Sequence, residues 1–108
     1  MFELYRSEAG GTYHFRLKAP NGETILASEG YVTRGGCRRG IDSVKRNATR
    51  ETAFRTRTAQ DGRKYFALVA ANGKTVGQSQ MYRSEAGMLK GLASVRENAP
   101  CAEIRELK

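Results

Sequence analysis

The chain has 108 residues, with 19 Lys and Arg against 11 Asp and Glu, for a formal net charge of +8. That length makes one domain, or two halves too small to stand apart. Apolar residues make up 39%, which is enough for a core, but no run approaches the roughly 18 that a membrane span needs. Aromatic residues spread along the chain exclude wholesale disorder.

The elements follow in order. A strand is expected over about 2–7, then a turn at SEAGGT. A second strand follows. Tyr13, Phe15, Leu17 and Ala19 alternate with His14, Arg16 and Lys18, the period of a half-buried strand. Asn21-Gly22 predicts a two-residue hairpin with both central residues at positive φ. The third strand is expected over about 24–30. Thr33 suits a helix N-cap. Ile41 and Val44 then share one face of a short amphipathic helix ending near Asn47. Gly35 and Gly36 predict a frayed start to that helix.

The order then begins again. A strand over about 53–58, a turn at AQDGR, a strand through Phe66 and Leu68, a turn at Asn72-Gly73 and a strand over about 75–81 come next. Ser84 caps a second helix carrying Leu92 and Val95 and ending near Asn98. The tail, 102–107, suits a last strand.

Sliding the chain by 51 residues lays 13–48 on 64–99, and 14 of the 36 pairs are identical. The identities include Phe15/Phe66, Leu17/Leu68, Asn21-Gly22/Asn72-Gly73, Ser28/Ser79, Tyr31/Tyr82, Gly40/Gly91 and Ser43/Ser94. Phe2 matches Phe54 once the following turn differs by one residue. YRSEAG at 5–10 and again at 82–87 breaks that offset and is read as coincidence. Each copy of about 50 residues is marginal alone. The expectation is therefore a single domain over 1–108 made of two repeats, about 1–51 and 52–108, sharing one sheet and one core. Residues 49–51 are too few for a flexible linker. Gly40 and Gly91 imply a close approach of helix to sheet.

NGETI, the Ser28 to Tyr31 segment and Gly40-Ile41-x-Ser43-Val44, repeated as NGKTV, Ser79 to Tyr82 and Gly91-Leu92-x-Ser94-Val95, resemble the YegP-like family. Its members are small bacterial proteins, often tandem repeats, of uncharacterised function. The resemblance covers nearly the whole chain. It implies an α+β fold: two tandem β(3)-α-β repeats sharing a single antiparallel sheet, two helices on one face, and C-terminal strands exchanged between repeats. It brings no catalytic residues to carry over. GGCRRG departs from the pattern and leaves the length of the first helix open.

Chemistry is sparse. His14 is the one histidine, on the polar parity of its strand, with no local partner for acid–base work. One His and two distant Cys fall short of a zinc site. Gly35 to Gly40 and Gly73-Lys74-Thr75 imitate phosphate loops but lack the required ending and opening residues, respectively. Cys37 lies near a helix start beside Arg38 and Arg39, which could lower its pKa; an inert small residue is the preferred reading. Tyr31 and Tyr82, with Ser28 and Ser79, read either as a paired binding spot at the sheet–helix junction or as tyrosines covering the helix entry with their hydroxyls bonded to backbone, and the second is preferred. No catalytic, metal or cofactor-binding residue is assigned.

The charge is localised. Residues 34–64 hold ten basic and three acidic side chains, +7 of the total +8. The expected function is a non-enzymatic, cytoplasmic, monomeric binding module. Its partner would be a polyanion, nucleic acid first, contacted at phosphates by Arg38, Arg39, Arg46, Arg55 and Arg57. The sheet face bearing His14, Arg16 and Lys18 could add to it. The alternative is a protein-interaction module using exposed strand edges or an apolar outer patch at Tyr65, Ala67 and Val69. No cofactor and no membrane partner is expected.

Overall fold

The computed structural model describes residues 1–107. The strands are β1 (Phe2–Arg6), β2 (Tyr13–Lys18), β3 (Thr24–Ala27), β4 (Phe54–Thr58), β5 (Lys64–Val69), β6 (Thr75–Gln78) and β7 (Ile104–Glu106). The helices are α1 (Arg34–Asn47) and α2 (Glu85–Asn98), each followed by a single 3-10 turn. All seven strands join one sheet in the order β4-β5-β6-β3-β2-β1-β7. Repeat two supplies β4, β5 and β6 on one side of the seam and repeat one supplies β3, β2 and β1 on the other, with β7 of repeat two added beyond β1; β3 meets β6 at the seam.

Strand parity decides what the helices cover. Phe2, Leu4, Phe15, Leu17, Leu26, Phe66 and Leu68 turn to the helix side and are buried in one cluster with Ile41, Val44, Met88 and Val95. Helix α1 packs on β1 and β2 of its own repeat and on β5 and β6 of the other, while α2 packs on β3 and β5. The seam is thin in backbone terms, with Ala27↔Gln78 as its one register pair. Packing holds it instead: a Cβ on Gly77 would stand 2.8 Å from the Leu26 side chain, so only glycine lets Leu26 lie across the junction.

The sheet is antiparallel except for its last pair, because β7 lies parallel to β1. The C-terminal strand does cross to the other repeat. Repeat one returns no separate strand, because the residues that correspond to β7 by the 51-residue offset already open β4.

Three local expectations change. In the Asn-Gly turns only the glycine has positive φ, 89° at Gly22 and 87° at Gly73. Each turn closes with Gly N–H donating to the carbonyl three residues back, Ala19 or Ala70. The glycine then forms a one-residue bulge, and the ladder shifts at Leu17/Lys18 and Leu68/Val69. The Gln60-Asp61-Gly62 turn repeats this geometry. Second, β3 stops at Ala27 because the Ser28 hydroxyl takes over: its Oγ accepts the Phe15 N–H at 2.9 Å and donates to the Glu29 carbonyl at 2.8 Å. Ser79 does the same with Phe66 and Gln80. Third, α1 is not frayed. Thr33 Oγ1 accepts the Gly36 N–H at 2.9 Å, and both helices run 14 residues. A cap of about 1 kcal/mol offsets much of what the glycines cost.

Candidate polyanion interface

The five arginines singled out in the sequence divide between the two sides of the sheet. Arg38, Arg39 and Arg46 are exposed on α1, on the helix side. Arg55 and Arg57 alternate with Phe54, which packs on the core, and so project from the opposite, helix-free face. The expected single flank is two patches, because the chain passes from one side of the sheet to its edge between α1 and β4.

On the helix side the charge is partly answered. Glu106 of β7 lies 3.2 Å from Arg38 and 3.7 Å from Arg34. Lys45 sits over the Phe2 ring at 5.9 Å, and Arg50 donates to Asn47 Oδ1 at 2.7 Å. Arg39 and Arg46 have no carboxylate partner among the described residues.

The helix-free face is ordered by the ladder. One cross-strand row runs through all seven strands: Arg55, Ala67, Gln78, Ala27, Arg16, Glu3, Arg105. At about 4.8 Å per strand it spans roughly 29 Å. Small and neutral residues occupy its middle and cations its two ends. Glu3 is the only acid in the row. Arg16 Nε donates to Glu3 Oε1 at 2.7 Å and lies over the Tyr5 ring at 4.7 Å. That hydrogen bond holds the Glu3 carboxyl below the usual range, against the opposing effect of burial. Beside the row, Tyr5 and His14 stack at 5.6 Å on β1 and β2, and Tyr65 pairs with Arg57 across β4 and β5. The guanidinium of Arg55 donates to the Thr52 carbonyl.

Of the apolar outer patch expected at Tyr65, Ala67 and Val69, only Tyr65 keeps partial exposure. Ala67 and Val69 are 2% and 8% accessible, although neither belongs to the core cluster. Arg105 was missed in the sequence because nothing local says which strand β7 will join.

The remaining candidates resolve into structure. Cys37 is fully buried, and burial pushes its thiol up to about 11, the reverse of activation. Cys101 is exposed, and both cysteines are free. The two phosphate-loop imitations are the start of α1 and a hairpin turn. Asn47 and Asn98 donate to the carbonyls of Ser43 and Ser94 at 2.8 Å, which accounts for that repeated pair. His14 Nε2 lies 3.0 Å from Thr12 Oγ1. No group of three or more metal-ligating side chains gathers among the described residues. No described helix is long and apolar enough to cross a membrane.

A family model for the domain of unknown function DUF1508 matches residues 4–54 and again 59–106. The chain belongs to this family. The first match runs from β1 through α1 to the start of β4, and the second from the turn after β4 through β7, so β7 belongs to the second unit although it pairs with β1. A UPF0339 protein of Stutzerimonas stutzeri is 44% identical over 106 residues, covering 98% of this chain and 95% of that one. The UPF0339 protein YegP of Shigella flexneri is 40% identical over 105 residues, covering 97% and 94%. In structure, the chain is similar to a UPF0339 protein of Shewanella oneidensis, with TM-score 0.92, 40% identity, and 98% and 89% coverage. It is similar also to YegP of Escherichia coli, with TM-score 0.91, 40% identity, and 97% and 90% coverage. These relatives carry no stated activity.

Proposed function

We propose that this DUF1508 protein binds single-stranded nucleic acid, without sequence preference, on the helix-free face of its sheet. The observation that carries the reading is the seven-strand row, with arginines at its ends and Ala67, Gln78 and Ala27 between them. Arg55 and Arg57 hold phosphates at one end; Arg16, Lys18 and Arg105 hold them at the other. Tyr65 on β5, half-buried beside Arg57, offers a ring surface to a base next to the low middle. Arg38, Arg39 and Arg46 form a second, separate contact surface on α1.

The test is fluorescence anisotropy of a labelled single-stranded oligonucleotide during a salt titration. Five phosphate contacts correspond to a log–log slope of about −3.5. Arg55→Gln with Arg57→Gln lowers the slope by about 1.4. Arg38→Gln, Arg39→Gln and Arg46→Gln together leave most of the affinity intact. Absence of binding at low salt ends the proposal. Loss of binding in the helix triple but not in the sheet pair moves the site to α1.

A further inference from the structure

The β4 edge of the sheet is open where the repeat places a strand. In repeat one, β7 lies parallel on β1 with Phe2↔Ile104, Glu3↔Arg105 and Leu4↔Glu106. Phe2 N–H donates to the Glu103 carbonyl and Leu107 N–H to the Leu4 carbonyl, both at 2.8 Å. Under that strand Phe2 is fully buried, and Glu106 reaches Arg34 and Arg38. The repeat carries β1 onto β4, Phe2 onto Phe54, Arg34 onto Glu85 and Arg38 onto Leu89. On β4, Phe54 is only half-buried and Thr56 is exposed, and on α2 Leu89 is 49% accessible. A hollow lined by Thr56, Arg57, Thr58, Lys64, Glu85 and Met88 lies between β4 and the start of α2. Phe54 N–H is taken by the Glu51 carbonyl. By the parity that β1 shows toward β7, the Phe54 carbonyl and both backbone groups of Thr56 face the open edge.

We infer that this edge receives a short parallel strand from a protein partner, with a β-branched apolar residue followed by an acidic and then a basic one. Each position has its template in β7. The apolar residue covers Phe54 as Ile104 covers Phe2. The acid faces Arg55, as Arg105 faces Glu3. The base reaches Glu85, as Glu106 reaches Arg34, and its methylenes lie along Leu89. The charge order is thus the inverse of Ile104-Arg105-Glu106. That excludes a second copy of this chain: its β7 would set Arg105 against Arg55, and two paired β4 strands would oppose their arginines, which destabilises a ladder. Adding a strand to an open edge supplies affinity through backbone bonds and specificity through alternate side chains. The inference stands independently of the polyanion reading.

The experiment titrates isotope-labelled full-length protein with two short peptides that differ only in a central Ile-Glu-Lys or Ile-Arg-Glu. Amide shifts are expected at 54–58 and 85–89, with Ile-Glu-Lys bound about three- to tenfold more tightly. Arg55→Glu narrows the preference to the share set by Glu85, and Arg55→Glu with Glu85→Lys reverses it. Thr56→Pro removes an outward N–H at a position where an edge strand tolerates proline, and abolishes binding. Three outcomes overturn the inference: no shifts with either peptide, a preference unchanged by Arg55→Glu, or a concentration-dependent homodimer engaging the same amides.

Discussion

The hydroxyl of Tyr31 lies 2.3 Å from where a Cβ on Gly40 would stand, and in the second repeat Tyr82 and Gly91 stand in the same relation at 2.0 Å. The glycine in each helix is therefore a socket for a tyrosine. Each tyrosine is fixed from behind by a backbone bridge, Tyr31 to Tyr13 and Tyr82 to Lys64. The close approach expected from the glycines exists, and its cause is this ring.

Gly40→Ala should therefore destabilise, although alanine favours a helix by about 1 kcal/mol. The methyl must displace a ring packed on Phe15, at a cost of about 1–3 kcal/mol. Adding Tyr31→Phe removes the nearest atom and should restore part of the loss. Urea midpoints of the two variants and the parent check this, and an unchanged or raised midpoint in Gly40→Ala would contradict the socket.

The seam predicts joint unfolding. Leu26→Ala removes a fully buried side chain lying between the repeats and should cost about 2–5 kcal/mol. Because both halves feed one cluster, amide exchange in β2 and in β5 should accelerate together. Acceleration confined to repeat one would show that the halves are energetically separate.

The thiols should differ sharply. Cys101 is exposed and Cys37 is at 0% accessibility, so a thiol reagent should label one site in the native protein and two after denaturation. The raised folded pKa of Cys37, about 11 against an ordinary 9.0, fixes an alkaline dependence. Between those values the unfolded chain releases a proton that the folded one keeps, so stability is complete below 9.0 and falls as pH rises toward 11. Burial raises the Tyr31 hydroxyl too, which extends the same limb. Chemical denaturation across this range, with Cys37→Ala as the comparison, measures it.

Glu3 governs the acid side. Its folded pKa lies below the ordinary 4.5, chiefly through the Arg16 hydrogen bond. A depressed carboxyl contributes stability that is present above the unfolded value and lost as pH falls through the folded one. The partly exposed Arg16 limits the contribution to about 0.5–1 kcal/mol. Glu3→Gln should flatten the acid limb of the stability profile by that amount. A limb of unchanged steepness would assign acid sensitivity to other carboxyls.

YRSEAG shows what local sequence leaves open. At 5–10 it ends β1 and turns; at 82–87 its serine becomes Ser84, the cap of α2. The same letters take different conformations because Tyr13 faces Arg6 in one case, while in the other the following Met88 is buried beneath the helix. Within each repeat, alternation and capping residues were enough to place strands and helices. The bulges were not legible, since Asn-Gly serves either turn type and the flanking ladder selects between them.

By itself the sequence determined the duplication, the helix-facing parity of Phe15, Leu17, Phe66 and Leu68, and the surplus of cations between 34 and 64. Periodicity within one element carries that information, because each side chain's direction follows from its own backbone. Only the tertiary structure decided that Arg38 and Arg55 lie on opposite sides of the sheet, that Arg105 joins Arg16 in one row, and that β4 is left with an open edge. Those relations depend on which strands become neighbours, and long-range packing of Ile104 and Leu26, rather than any local preference, sets that choice.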